Sequence, residues 1–188
     1  VETLEKPIRR KASERTASAS SVSSVSSAHV NSSVASVEKP ERIPFVQRPS
    51  VGLFVDGPNM LRKEFMVDLR ELRKRVEKYG RVTIAKVFLN QFAPEKLIEA
   101  IINEGFESVM VLAKQEEDAN DVDVSVAVSA LEAALTKNVD IIALASRDAD
   151  YLPVLQKVKE YGKKVIVLGA EPGFSSSLQN AADYVEHL

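Results

Sequence analysis

Acidic side chains collect at three places in this chain, each beside an apolar run. They are Phe54-Val55-Asp56-Gly57-Pro58-Asn59, then Asp121-Val122-Asp123, then Leu144-Ala145-Ser146-Arg147-Asp148-Ala149-Asp150-Tyr151. Two carboxylates about 4 Å apart repel by roughly 4 kcal/mol at an effective dielectric near 20, so a cluster of Asp56, Asp123, Asp148 and Asp150 needs a counter-charge. The chain has no cysteine, and its two histidines, His29 and His187, lie outside all three motifs. Oxygen is the ligand available, and hard oxygen donors select Mg²⁺ or Mn²⁺ over zinc or copper. Such a cation polarises a phosphoryl oxygen and activates water, so metal-assisted phosphoester hydrolysis is the chemistry these residues suggest.

Taken singly, each acid also has a structural explanation. An Asp before Gly-Pro closes turns, and an Asp at a helix start caps it, as Asp121 and Asp150 could. Three strand ends carrying acids together shift the balance toward a site. Around them, Asn59 could orient Asp56 or a bound water, and Ser146 could meet a phosphate or bond its own backbone. Arg147 could pair with a site acid or hold substrate phosphate. Arg62, Lys63, Arg70, Arg73, Lys74, Arg75 and Lys78 follow the first strand with few acids among them. Residues 70, 73 and 74 share a helix face, which makes either a phosphate-tracking patch or a solvated surface. Glu116, Glu117 and Asp118 read as a solvated loop.

Positioning these groups requires a scaffold with strand ends on one side. Val51 to Asp56 has a strand pattern; Phe65, Leu69, Leu72, Val76 and Tyr79 then recur at helical spacing up to Gly80. Further strands are expected over Val82 to Leu89, Ser108 to Leu112, Ile141 to Ala145 and Val165 to Leu168. Helices are expected from Pro94 to Gly105, Asp121 to Asn138, Tyr151 to Tyr161 and Ser176 to Tyr184. Five apolar strands alternating with helices define an α/β fold, a parallel sheet covered on both faces in a three-layer α/β/α sandwich. Sites in such sheets form outside the carboxyl ends of the strands, where the strand order reverses.

Composition narrows the classes further. The 188 residues are 45% hydrophobic and 28% charged, which suits one globular domain with a tail. No run approaches the roughly 18 apolar residues of a membrane span. The absence of cysteine excludes disulfide frameworks and thiol nucleophiles, and makes the cytoplasm the expected compartment. Residues 1–49 carry 11 serines and a net charge of +3, and are read as a disordered tail. Residues 50–188 form the expected domain, with a net charge of −5, so any nucleic-acid contact needs locally clustered bases or a bridging cation. A flat apolar helix face could close a homodimer. A phosphatase of the aspartyl-nucleophile type would want a second Asp where Pro58 stands, and no Gly-x-Gly-x-x-Gly follows a strand.

The strand ending Val55-Asp56-Gly57-Pro58-Asn59, the Val122-Asp123-Val124 helix start and Ser146-Arg147-Asp148-Ala149-Asp150-Tyr151-Leu152-Pro153 resemble the NYN domain, a PIN-like nuclease family with LabA-type members and an uncharacterised archaeal branch. The resemblance covers about residues 50–185. It implies a PIN-like five-stranded sheet of order 3-2-1-4-5 and an acidic Mg²⁺ or Mn²⁺ site that hydrolyses RNA, mainly single-stranded. It gives catalytic and metal-holding roles to Asp56, Asp123, Asp148 and Asp150, with Asn59 as the family's adjacent asparagine. Arg147, Ala149 and Tyr151 stand where the family motif has Gly, Ser and Phe, and Ser129 where a further acid is common. A second function fits the same fold: a catalytically weak RNA-binding or scaffold module. In either case Asn59, Ser146, Arg147, Arg62, Lys63 and Arg70 are the expected substrate contacts.

Overall fold

The computed structural model describes residues 47–113, 120–136 and 138–188. The serine-rich stretch read as a tail lies outside the described residues apart from its last three positions, as do Glu116, Glu117 and Asp118; the side chain of Asp121 is likewise not described.

The elements run β1 (Ser50–Asp56), α1 (Gly57–Met60), α2 (Leu69–Glu77), β2 (Arg81–Asn90), α3 (Glu95–Asn103), β3 (Glu107–Val111), α4 (Asn120–Thr136), β4 (Ile141–Ala145), a 3₁₀ turn (Ala149–Tyr151), α5 (Leu152–Glu160), β5 (Lys164–Gly169), α6 (Ser176–Ala181) and β6 (Tyr184–His187). All neighbouring strands pair in parallel, in the order β3-β2-β1-β4-β5-β6. The expected order 3-2-1-4-5 is present, but the sheet has six strands, not five.

Alternation along the strands builds two cores. Val51, Leu53 and Val55 of β1 join Leu69, Leu72 and Val76 of α2 and Ile101 of α3 on one face. Phe54 points the other way, with Val122, Val126 and Ala130 of α4, Leu155 and Val158 of α5 and Leu178 of α6. The sheet is therefore sandwiched between two helical layers, as a parallel sheet must be to bury both faces. The first two crossovers pack on one face and the next three on the other. That change of side makes the carboxyl ends of β1 and β4 the switch point.

Three departures from the sequence reading have local causes. The periodic run from Phe65 does not start the helix, because Asp68 is its N-cap: its carboxylate accepts from the backbone N–H groups of Arg70 and Glu71. Phe65 lies in the connection before it and is half-buried elsewhere. A short helix, α1, follows β1 directly, with Pro58 in its first turn and Asp56 as its N-cap. The expected last helix stops at Ala181, where Ala182 turns extended. Asp183 then ties its carboxylate to the Val165 backbone N–H at 2.8 Å and its own N–H to the Val165 carbonyl, aligning Tyr184–His187 as β6.

Gly57 sets how closely α1 sits on the sheet. A Cβ at this position would fall against the Phe88 carbonyl oxygen and the Leu89 side chain. Gly57→Ala is expected to cost about 1–3 kcal/mol through overpacking. Urea unfolding measures this, and a variant as stable as wild type would show that α1 can lift off β2 without loss.

Candidate active site

The switch point is built around one buried carboxylate. Asp56 ends the central strand β1, and both of its oxygens are engaged. Oδ1 accepts from the Asn59 backbone N–H at 3.2 Å, and Oδ2 faces Ser146 Oγ at 3.1 Å and Tyr151 Oη at 3.3 Å. The same tyrosine hydroxyl lies 2.8 Å from Asp123 Oδ1, so its single proton is shared between the two carboxyl groups. Asp56 and Asp123 are thus joined through Tyr151, whose ring is buried between α4 and the sheet.

Asp148 serves the backbone as well as the site. Its Oδ1 accepts from the Asp150 N–H at 3.0 Å, capping the 3₁₀ turn, while its own N–H donates to Ser146 Oγ at 3.2 Å. Ser146 therefore accepts from Asp148 and donates to Asp56, linking the two acids. Asp148 is half-buried, and Asp150 is exposed on the solvent side of the turn. Contrary to the simple capping expectation, it is Asp148 that caps and Asp150 that occupies the first turn.

The electrostatics follow from this crowding. Burial, then the charge of Asp123, pushes Asp56 up to about 7, against the lowering effect of its three donors. Asp123 is also raised, chiefly by burial, with Asp148 and Asp150 adding repulsion and Tyr151 opposing it. Burial and the two carboxylates drive the Tyr151 phenol far above its ordinary value, so it remains a neutral hydroxyl. Among the described residues, no Lys or Arg forms an ion pair with Asp56, Asp123, Asp148 or Asp150.

All the donors here are hard oxygens, the chemistry that suits Mg²⁺ or Mn²⁺. Among the described residues, no three acids converge at ligating distance on one point. The donor types fit such a cation, while the tyrosine bridge occupies part of the space between Asp56 and Asp123.

The remaining expected contacts separate into two groups. Asn59 Oδ1 accepts from the Arg147 backbone N–H and Nε at 3.1 and 3.2 Å, which makes Asn59 a holder of Arg147. Arg62 and Lys63 are exposed in the connection after α1. Arg70 is engaged elsewhere, in a two-point bond to Glu104 at 3.1 and 2.8 Å. Arg73 is likewise engaged, with the Gly105 carbonyl and the Phe106 ring, and so is Arg75, with Glu71 and Glu186. The helix-face patch is thus largely structural.

Two functional side chains escape the sequence reading. Tyr151 registers there only as a replacement for Phe, although a hydroxyl three residues past an acid of the same motif was a usable signal. Phe65 matches the helix period but packs its ring beneath the Arg147 guanidinium, 3.9 Å from centroid to central carbon.

A parallel sheet of this order, with acids gathered at its switch point, defines an α/β domain of PIN-like fold. The NYN domain family matches residues 50–188, and this chain belongs to it. NYN domains are generally nuclease domains of the PIN-like type. An uncharacterized protein of Methanocaldococcus jannaschii, MJ0482, is 54% identical over 135 residues, 72% of this chain and 53% of that protein. The chain therefore spans about half the length of the curated relative it matches. A solved structure of a protein of unknown function from Vibrio parahaemolyticus, VPA0982, superposes with a TM-score of 0.66 at 22% identity, covering 76% of this chain and 94% of the other; this likeness is one of fold. No helix among the described residues is long and apolar enough to cross a membrane.

The raised Asp56 makes a pH prediction for the metal-free protein. A carboxyl raised on folding contributes stability that is complete below the ordinary carboxylate range and fades as pH climbs through about 7. In EDTA the melting temperature is expected to fall from about pH 4 to about pH 7, level off above that, and depend far less on pH in Asp56→Asn. Tyr151→Phe, which removes a donor to the ionised form, should move the transition to higher pH. A flat wild-type profile would mean that Asp56 is already ionised in the folded protein.

Proposed function

We propose that residues 50–188 form a metal-dependent ribonuclease domain that hydrolyses phosphodiester bonds of single-stranded RNA. The observation that carries this reading is the acid cluster itself: a buried Asp56 linked to Asp123 and Asp148, with no basic side chain among the described residues paired to any of them. Leaving that much negative charge uncompensated at a switch point is destabilising unless a cation completes it. Membership of the NYN family supplies the nucleic-acid substrate class.

Asp56, Asp123 and Asp148 would hold Mg²⁺ or Mn²⁺, with Asp150 completing the set from solvent. When bound, such a cation polarises the phosphoryl group and makes its water more acidic. The chain's own contribution is positioning. Ser146 fixes Asp56 relative to Asp148 through its two hydrogen bonds, and Tyr151 fixes Asp56 relative to Asp123. Asn59 holds the β4 end in place through Arg147. Arg62, Lys63 and Arg147 are the bases available to the strand, while Arg70 already has a carboxylate partner.

A second reading, an RNA-binding or scaffold module of weak catalytic power, draws on the finding that no three acids among the described residues meet at one point.

The test is cleavage of labelled single-stranded RNA and DNA in Mn²⁺, Mg²⁺ or EDTA. Asp148→Asn keeps the capping oxygen, so its melting temperature should stay near wild type while cleavage falls by a factor of at least about 100, the scale of losing a group that positions transition-state charge. Metal-dependent cleavage undiminished in that variant rules out the assignment. RNA binding without turnover in either metal selects the second reading.

A further inference from the structure

The acids are not the only charges left without a partner. Arg147 leaves the end of β4 held at every fixed point by a neutral acceptor. Its Nε donates to Asn59 Oδ1 at 3.2 Å, its Nη1 donates to the Pro172 carbonyl at 2.6 Å, and its plane rests on Phe65. Arg62 is oriented in the same manner, its Nε donating to the Pro58 carbonyl at 2.9 Å. The two guanidinium groups therefore hang from consecutive residues, Pro58 and Asn59. Burial and, after it, the charge of Arg62 disfavour the protonated form of Arg147, against the pull of Glu64, Asp56 and Glu171, so the two guanidinium groups are close enough to interact.

A fixed arginine in a protein usually faces a carboxylate. Among the described residues Arg147 has no ion pair, and Arg62 has one, to Glu64, at 4.0 Å between two exposed side chains. A guanidinium carries five N–H donors, of which the bonds to Asn59 and Pro172 use two. Nη2 of Arg147 is neither hydrogen-bonded nor buried, and the Arg62 side chain is exposed, so both groups keep donors in contact with solvent. Two like charges held side by side on neutral acceptors, with donors to spare, form a receptor for an anion.

We propose that Arg147 and Arg62 form a phosphate clamp that seats one backbone phosphate of a nucleic-acid strand beside the acid cluster, not over it. Phe65 supports the Arg147 guanidinium from one side, its Nη2 is left to donate to a phosphate oxygen, and Arg62 adds a second charge from the neighbouring residue. The proposal takes the nucleic-acid substrate from the proposed function and adds where the strand is gripped. It also gives a purpose to a bulky base at the position where the resembling family motif has glycine.

The experiment is binding of a fluorescently labelled single-stranded oligoribonucleotide to the full chain in EDTA, across a series of salt concentrations, so that neither turnover nor a bound cation enters the readout. Arg62→Gln, on an exposed side chain, should weaken binding about tenfold at low salt and reduce the slope of log affinity against log salt by about 0.7, the value of one single-strand phosphate contact. Arg147→Gln should do the same. Arg147→Lys, which keeps the charge but loses the planar fork, should weaken binding with the slope nearly unchanged. If Arg147→Gln fails to fold by circular dichroism, Arg62→Gln and Arg147→Lys carry the test.

Lys74→Gln, on the exposed side of α2, is the control and should bind as wild type. Equal losses in Lys74→Gln and Arg62→Gln would mean general charge attraction and would overturn the clamp. Absence of salt-dependent binding by the wild type would overturn it as well. Inorganic phosphate that raises the melting temperature in an Arg62-dependent way, with oligonucleotide slopes unchanged, would replace the strand clamp by a free-phosphate site. Altered slopes with no cleavage in Mn²⁺ would leave the clamp standing and overturn the nuclease, whereas cleavage with unchanged slopes would overturn the clamp alone.

Discussion

Asp56 is a carboxylate at the end of the central strand of a sheet covered on both faces, and the fold around the switch point is arranged to make that burial tolerable. A buried ionisable group must be hydrogen-bonded, neutralised or paired. Here the hydrogen bonds come from three directions. The Asn59 N–H turns the chain into α1, Ser146 reaches across from the end of β4, and Tyr151 reaches up from the 3₁₀ turn. Each donor fixes a segment, and the segments so fixed carry the remaining acids. The site and the local fold are therefore one network, since removing a donor disturbs both.

That coupling also accounts for the double duty of individual residues. Asp56 is both helix cap and site acid, as is Asp148, and Ser146 bonds one while receiving from the other. A cap needs one carboxylate oxygen directed at the backbone, which leaves the other for the site. The structural and chemical explanations of an Asp at a strand end are then complementary. The burial of Asp56 and the repulsion that Asp148 and Asp150 exert on Asp123 remain as stored free energy in the domain, of the kind that functional sites carry at the expense of stability.

Much of this was legible in the sequence, because the signals were strong where burial was strong. Ile141–Ala145, buried on every residue, is readable to its exact ends, and the strand ends bearing Asp56 and Asp148 follow from apolar runs that stop at an acid. The misses fall where a residue satisfies two patterns. Phe65 continues the helical period of Leu69 and Leu72, but the Asp68 cap starts the helix after it. Tyr184–His187 is short and follows a helical stretch, so its pairing with β5 depends on Asp183 and a neighbouring strand that no local pattern reveals. Tyr151 enters the sequence reading only as a replacement for Phe, and its ring is core as a Phe ring would be; only its hydroxyl, brought to Asp123 of α4, makes it part of the site. The basic face of α2 stays open between two readings in the sequence because sequence shows charges without their partners, and Glu104, Gly105 and Glu186 are remote in the chain.

The sign of the domain's charge bears on how a polyanion could approach it at all. With a net charge of −5 over residues 50–188, the average field opposes nucleic acid. Salt at physiological strength screens that field over about 8 Å, so what a strand meets at contact distance is set by the nearest groups and not by the total. At the switch point those groups are the acids and, beside them, Arg62 and Arg147 with no strong carboxylate partner. Elsewhere arginines such as Arg70 and Arg75 are neutralised by glutamates. Among the described residues, the switch point thus sets unpaired acids and weakly paired arginines side by side. A surface of that kind repels anions at a distance and discriminates among them at contact: a strand that the proposed clamp grips by one phosphate could bring the next toward the acids only where a cation offsets their charge.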